Sequence, residues 1–326
     1  MNELNKGIPD TVFRELAPYL QIRYVKLHFE LEMLEDGFLL PEKASALRGG
    51  MGQMLMKMNC MFDGDCNACG FRNECIVQRI MYAEMKRRPS FMTGKDSEGY
   101  VLECGDYGTF YQEGDLLKFN LLLFGGCIAY FSQILQSFCL LGTAGLGKEH
   151  IPFRVRYVKN TVGDILYDGD EDLLDKERYQ VLHVADYVEY RLRSQNVSDV
   201  ALLRFHSPVS VKYRGQFQNK FNLEAIMAAI ERRIFIMNCF EGTFRDETNQ
   251  RISTEGHIPR LIEESVRFEK KPRYSGAQDK KTCFYGITGT CRISDIDKHA
   301  LILLLAGELL HIGKNTSFGF GRYTLI

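Results

Sequence analysis

Four cysteines lie close together in the segment NCMFDGDCNACGFRNEC, with five, two and five residues between them. Thiolates at this spacing can close a tetrahedral zinc site. An iron–sulfur cluster and unmetallated thiols are the alternatives, because C-x2-C-x5-C spacing is not specific to zinc. We predict a structural zinc ion that stabilises an insertion over about residues 59–98 and takes no part in catalysis. Its ligands would be Cys60, Cys66, Cys69 and Cys75.

The C-terminal segment HIGKNTSFGFGRYTLI combines glycines with side chains that suit phosphate. Glycines let the backbone approach a ligand closely, and free N–H groups beside basic side chains favour an anion. The segment precedes a strand, so it is neither a Walker A nor a dinucleotide fingerprint. A tight turn before an edge strand is the alternative. The residues predicted to bind are Gly313, Lys314, Asn315, Ser317, Gly319, Gly321 and Arg322.

Candidate acid–base groups come mainly from seven histidines, since imidazole titrates near neutral pH. His311 stands beside the glycine segment and is predicted to be catalytic, with a helix cap as the alternative. His28, on the polar face of RYVKLHFEL, is the second candidate, pointing either into a groove or into solvent. Tyr274 could orient a phosphate or donate a proton. His206 and His257 are weaker candidates, and His206 is better explained as a core or edge histidine.

Basic side chains are concentrated locally, since the whole chain has a net charge of −1 and offers no general field for nucleic acid. Residues 267–281 hold six Lys and Arg against two acids. Phosphate contacts are predicted there from Arg273, Lys280 and Lys281, and a solvated hairpin is the alternative. In the first half, Arg48 begins a glycine-containing helix and Lys148 lies in the shorter glycine loop AGLGKEH.

The hydrophobic periodicity places these groups on two repeated sets of elements. The first half reads as strand 22–31, helix 45–58, strands 100–104 and 116–124, helix 127–141 and strand 153–159. The second half reads as strand 202–213, helix 221–240, strands 261–268 and 283–293, helix 297–310 and strand 320–326. Each set has the order βαββαβ. We predict an α+β fold of two tandem ferredoxin-like domains, residues 1–165 and 196–326, joined by an acidic linker over residues 166–195.

Composition is that of a globular protein, with 45% hydrophobic and 25% charged residues. The first residues lack the pattern of a secretory signal, so we expect a cytoplasmic protein with reduced thiols. The stretch from Leu121 to Gly142 has no charged residue but carries polar and apolar side chains at helical spacing. It is predicted to be a buried amphipathic helix and not a membrane span.

Four segments together resemble a known family. They are LPEKASALRGGMGQ, LKFNLLLFGGC with AGLGK, LLRFHSPVSVKY, and RYSGAQDKK leading to HIGKNTSFGFGRY. In this order they look like the CRISPR repeat endoribonucleases of the RAMP superfamily, which process precursor CRISPR RNA (crRNA). The resemblance covers most of the chain and both halves, and this makes it more specific than a single motif.

This resemblance implies a metal-independent endoribonuclease that binds CRISPR repeat RNA. A ribose 2′-OH would attack the adjacent phosphate, giving 2′,3′-cyclic phosphate and 5′-OH ends, with side chains as general base and acid. No cofactor is expected for catalysis. One alternative is a non-catalytic RAMP subunit that holds crRNA among other CRISPR-associated effector subunits. Another is a zinc-stapled RNA-binding protein outside CRISPR systems.

Overall fold

The computed structural model describes residues 11–82, 85, 88–89, 91–92, 99–194, 200–242, 258–275 and 280–326. In this part of the chain, two large antiparallel sheets are flanked by helices, and two further sheets have two strands each, one pairing residues 37–38 with 110–111 and the other pairing 212–213 with 216–217. The strands are β1 (Arg23–Met33), β2 (Gly37–Phe38), β3 (Tyr100–Glu103), β4 (Phe110–Tyr111), β5 (Leu116–Phe124), β6 (Phe153–Lys159), β7 (Ile165–Asp168), β8 (Leu173–Leu174), β9 (Leu182–His183), β10 (Val200–Val209), β11 (Lys212–Tyr213), β12 (Gln216–Phe217), β13 (Arg260–Ser275), β14 (Lys280–Ser294) and β15 (Tyr323–Leu325). The helices are α1 (Thr11–Leu16), α2 (Lys43–Asn59), α3 (Ile76–Met81), α4 (Phe131–Ala144), α5 (Val184–Ser194), α6 (Leu223–Glu241) and α7 (Lys298–Leu310).

The two sheets confirm the predicted pair of ferredoxin-like units. In the first sheet the strand order is β3-β5-β1-β6, with α2 and α4 as the two crossovers. In the second sheet the order is β13-β14-β10-β15, with α6 and α7 in the same roles. In both units the first and third strands are therefore central, as the βαββαβ topology requires.

Alternation along β1 explains how one sheet serves two purposes. Leu27, Phe29 and Leu31 are completely buried under the helices, whereas Lys26, His28 and the next even-numbered residues lie on the opposite face. Successive side chains of a strand point to opposite faces, so a single sequence period provides a core face and a polar face. The polar face is the one available for a functional site.

The apolar stretch Gly125–Ala144 is long and apolar enough to cross a membrane by composition, with mean hydropathy 1.3 and half of the stretch buried. It includes α4, whose Ile134 and Phe138 are fully buried. Phe138 packs against Phe29 and Phe119 of the first sheet, at ring-centroid distances of 5.2 and 5.1 Å. These contacts are those of a core helix, as the polar and apolar spacing predicts.

The acidic segment 166–195 is not a free linker, and the prediction was wrong on this point. β7 and β8 extend the first sheet beyond β6, and β9 pairs with β1. α5 then packs against α7, and its Val184 and Val188 belong to the core of the second domain. The eight acidic residues of this segment suggested a solvated linker, but its apolar residues decide where the chain lies.

The two domains share a packed interface. Leu16 and Leu20, from the N-terminal segment, are buried with α6 and α7 of the second domain. On the first sheet, Tyr24, Val101 and Leu122 belong to this same apolar cluster. The polar face of the first sheet is thus apolar where the second domain covers it.

Candidate nucleic-acid interface

A cleft of about 1840 Å³ runs between the two domains. The first domain contributes the beginning of α2 around Arg48 and the glycine loop 145–150. The second domain contributes the outward face of β10, with Arg204 and His206, together with the segment 318–322. Because both ferredoxin-like units line it, the cleft exists only in the assembled two-domain chain.

Cationic side chains line the cleft from both sides. Lys148 and Arg204 are exposed, and the Arg267 side chain is 80% exposed although it pairs with Glu269. The Arg48 guanidinium carbon lies 4.1 Å from the centroid of the Phe318 ring, a cation–π contact between the domains. Its Nε donor has no hydrogen-bond partner among the residues the structure describes. Such a surface suits the phosphates of a nucleic acid.

His206 is the exposed imidazole on the second-domain wall of the cleft. It lies two residues from Arg204 on the outward face of β10, and its Nε2 is 2.9 Å from the Thr324 hydroxyl. Burial lowers the pKa of His206, and the positive charges of Arg322 and Arg204 lower it further. A lower pKa favours the neutral imidazole, which is the form that can accept a proton.

His311 does not face the cleft, which corrects the expectation that it stands at the mouth of the glycine segment. The side chain is completely buried. Its Nδ1 lies 3.0 Å from the Phe320 carbonyl, and its Nε2 lies 2.8 Å from Glu103 Oε1 on β3. Both ring nitrogens therefore lie within hydrogen-bond distance of an oxygen atom. His311 is placed as a buried link between the domains.

Glu103 is the centre of this link. Besides His311, its carboxylate accepts from Asn120 Nδ2 at 2.9 Å and pairs with Lys26 Nζ at 3.2 Å. Arg322 Nε lies 3.9 Å away, which connects the buried pair to the cleft. Burial alone would raise the pKa of Glu103, but the His311 hydrogen bond and the neighbouring cations hold that pKa well below its usual value.

His28 lies outside the cleft, on the uncovered part of the first sheet. Its Nδ1 is 2.7 Å from Asn120 Oδ1, and it lines a separate shallow pocket with Lys118 and Lys159. It therefore connects to Glu103 through Asn120 but does not share the surface that carries His206. The structure does not bring together the two predicted histidines, His28 and His311, at one open site.

The predicted C-terminal binding residues divide into two groups. Gly319 and Arg322 line the cleft. The others lie away from its lining: Lys314 is exposed with its amine 4.8 Å from the Phe217 ring centroid, and Ser317 is buried. Gly313, Asn315 and Gly321 adopt positive φ angles of 84°, 63° and 75° in the turns of this segment. Most of the glycine segment therefore forms structure and does not present N–H groups to a ligand.

The basic hairpin formed by β13 and β14 carries the remaining predicted residues. Tyr274 pairs with Lys281, and Ser275 pairs with Lys280, at its far end. Arg273 pairs with Thr282 one step earlier. The side chains of these residues, and His257 altogether, lie outside the described residues, so their roles stay predictions.

The four cysteines lie in consecutive turns between α2 and α3. Cys60 follows the last residue of α2, and Cys75 caps the start of α3. The sulfur of Cys60 accepts from the Gly64 N–H at 3.3 Å, and that of Cys66 accepts from Gln78 Nε2 at 3.1 Å. Within the described ranges, no group of three or more His, Cys, Asp or Glu side chains is arranged to hold a metal ion.

Comparison with known proteins agrees with this architecture. Residues 203–323 match the family model of the CRISPR-associated endoribonuclease Cas6. The second domain of the chain is therefore similar to this endoribonuclease family. Residues 20–181 match a second family model, described as an N-terminal domain. The two models meet close to the boundary between the first sheet and the second, so the Cas6 match is carried by the domain that contains His206.

Known relatives are distant in sequence. An uncharacterized protein of Archaeoglobus fulgidus is 22% identical over 295 residues, which cover 88% of this chain and 92% of that protein. Among solved structures, a Cas6 product complex superimposes with a TM-score of 0.51 at 13% identity, covering 94% of this chain and all of that one. A partial Cas6-RT-Cas1–Cas2 complex gives 0.57 at 10% identity, and this chain spans 46% of that longer chain. At these identities the superpositions show a shared fold.

Sequence reasoning underrated His206 and did not single out Glu103. A signal for His206 was present, because Leu203 and Phe205 are apolar and alternate with Arg204 and His206, which must then face outward together. His150, exposed in the first glycine loop, lines the same cleft. Glu103 could not be found this way, since its partner His311 is 208 positions away.

Proposed function

We propose that this protein binds CRISPR repeat RNA in the interdomain cleft and cleaves precursor crRNA there. The observation that carries the proposal is His206, an exposed imidazole with a lowered pKa between two arginines in a cationic cleft. The Cas6 domain match supports a nuclease role. The repeat RNA as substrate, and other CRISPR-associated proteins as partners, are part of the proposal for this chain.

His206 would act as the general base. It takes the proton from a ribose 2′-OH, whose oxygen then attacks the adjacent phosphorus while the bond to the 5′ oxygen breaks. The products are a 2′,3′-cyclic phosphate and a 5′-OH, the latter completed by a proton from a general acid. Arg204 and Arg322 would stabilise the additional negative charge on the phosphorane. The side chains perform these steps, and the proposal assigns none to a metal ion.

The test combines a chelator with a modified substrate. Repeat RNA from the protein's own CRISPR locus is incubated with the protein and EDTA, beside the same RNA carrying one 2′-deoxy nucleotide at the cut site. Cleavage of the unmodified RNA alone supports the mechanism, since the 2′-OH is the nucleophile. Tight binding without cleavage of either RNA would instead favour a subunit that holds crRNA.

Alanine variants of two histidines test whether His206 is the general base. His206→Ala should slow single-turnover cleavage about 10²–10⁴-fold with little change in RNA affinity. His183→Ala is the matched control, because His183 is partly exposed on β9 and does not line the cleft. Equal cleavage by the His206 variant and wild type would remove His206 from the mechanism.

We also propose that Cys60, Cys66, Cys69 and Cys75 hold a structural zinc ion, on the strength of their spacing; zinc would draw together thiols that the described structure does not group as a metal site. Zinc bound by four thiolates would stabilise the turns between α2 and α3. Elemental analysis of the purified protein should find about one zinc per chain. Iron with a visible absorbance band would indicate a cluster instead.

A further inference from the structure

Four large side chains are exposed together where the cleft opens beside β2 and β4. The exposed fractions are 60% for Phe38, 71% for Leu40, 54% for Tyr107 and 47% for Phe110. We call these four residues the aromatic edge. Phe38, Leu40 and Tyr107 line the same cleft as Arg48 and His206, so the aromatic edge continues the surface of the candidate nucleic-acid interface.

The aromatic edge is held rigidly from below. β2 and β4 pair so that Phe38 lies opposite Phe110, with ring centroids 4.9 Å apart. The Phe38 N–H donates to Glu149 Oε2 at 2.8 Å, which ties the strand to the first glycine loop. Beneath it, the buried Lys43 amine donates to the Asp106 carbonyl at 3.0 Å and holds the loop that carries Tyr107. Rings fixed in advance lose little freedom when a ligand binds.

The chemistry of cleavage favours one occupant. A 2′-OH can attack in line with the departing 5′ oxygen only when its nucleotide leaves the A-form helical geometry, so the strand must be unstacked near the cut. Unstacked bases regain stacking on aromatic side chains, while neighbouring cations bind the phosphates. Lys148, exposed on the adjoining loop, provides such a cation. A surface with rings and a cation side by side matches single-stranded RNA.

We propose that the aromatic edge stacks unpaired bases of single-stranded RNA as the strand enters the cleft. This inference rests on the proposed function, and it adds the position at which the strand is held open. Phe38 and Tyr107 would contact bases, and Lys148 would contact the backbone between them. Binding at this edge is expected to depend little on base identity, because every base has a π face.

The experiment measures affinity for two RNAs, the repeat RNA and an unstructured oligoribonucleotide, each with 2-aminopurine at single positions. Wild type should change the fluorescence of 2-aminopurine within the unpaired segment. The double variant Phe38→Ala/Tyr107→Ala should bind both RNAs about tenfold more weakly and lose that change. Because stacking is not ionic, the salt dependence of binding should keep its slope.

Two controls keep the outcome interpretable. Phe38→Tyr preserves a ring and should bind like wild type, whereas Tyr190→Ala removes a ring that is 67% exposed on α5, outside the cleft, and should have no effect. Thermal unfolding confirms that each variant folds. Unchanged affinity and fluorescence in the double variant would overturn the inference.

Failure of the proposed function is distinguishable from failure of this inference. If wild type binds the unstructured RNA but cleaves no repeat RNA, the nuclease proposal fails while the variants still test the aromatic edge. If wild type cleaves repeat RNA and the double variant binds as tightly, only the inference fails. If wild type binds neither RNA, both fail.

Discussion

Each domain has a glycine-rich loop between its second helix and its last strand, and the two loops face different surroundings. In the first domain, Lys148 and His150 are exposed and line the cleft. In the second domain, His311, Thr316 and Ser317 are buried. The second loop, with more glycines and more basic residues, is mostly a packing element, whereas the shorter first loop lies open to a ligand.

Close backbone approach explains the difference. A Cβ on Gly319 would lie 2.5 Å from the Leu102 carbonyl oxygen of β3. The backbone of the second loop therefore touches the first domain, and glycine is needed there for packing. A Cβ on Gly147 in the first loop would lie 2.8 Å from a side-chain atom, Leu39 Cδ2, and 4.0 Å from the Phe38 carbonyl oxygen. A glycine in a loop indicates that another group approaches the backbone closely. In the second loop that group belongs to the first domain of the same chain.

The largest effect is expected from breaking the link that buries the second loop. Glu103→Gln removes the carboxylate that His311 and Lys26 contact, and removing one partner of a buried charged pair costs about 3–5 kcal/mol. Urea unfolding measures the loss. Glu32→Gln is the control, because its pair with the half-exposed Arg154 should contribute less than about 1 kcal/mol. A loss below about 1 kcal/mol for Glu103→Gln would contradict this account of the link.

Acid should release the same link. The pKa of Glu103 lies well below its usual value in the folded protein, while in the unfolded chain it is about 4.3. Its contribution is therefore present above the unfolded pKa and is lost as pH falls through the folded pKa. The difference in free energy of unfolding between wild type and Glu103→Gln should be largest near neutral pH and should shrink below about pH 4. A difference that grows on acidification would contradict the pairing.

Alanine substitutions at three glycines distinguish the energetic cost of close packing from that of backbone strain. Gly319, Gly147 and Gly163 have φ angles of 77°, 79° and 92°, and a Cβ on Gly163 would have no neighbour within 4 Å. Gly163→Ala should lower the free energy of unfolding by about 1 kcal/mol, from backbone strain alone. Gly147→Ala should lower it by about 2 kcal/mol, because the end of the Leu39 side chain can move away from the new Cβ. Gly319→Ala should lower the free energy of unfolding by about 2–4 kcal/mol, because the new Cβ would clash with a backbone carbonyl of β3 that cannot move aside. Equal losses at all three positions would show that the second loop is no more tightly packed than the first.

The fold could be predicted because its signals are local. Period-two alternation in β1 and β10 and period-3.6 spacing in α4 and α6 are readable within ten residues. The surroundings of the glycine loops could not be read, since Gly319 contacts Leu102 and His311 contacts Glu103 only after both domains have folded. For the same reason, the sequence identifies histidines as candidates but not which of them is exposed. The alternation in β10 shows that His206 faces outward, but Arg322, whose charge lowers the pKa of His206, comes near it only in the folded chain.

The smallest effect is expected on RNA binding when one exposed lysine from each loop is replaced by alanine. Lys148→Ala should weaken RNA binding a few-fold and reduce the salt slope of log K by about 1, because one phosphate contact is lost. Lys314→Ala should change neither, since Lys314 packs over Phe217 and does not line the cleft. Binding titrations between about 50 and 200 mM salt measure both slopes. If the Lys314 variant lost the slope and the Lys148 variant kept it, RNA would follow the second loop, and the difference between the two loops would be reversed.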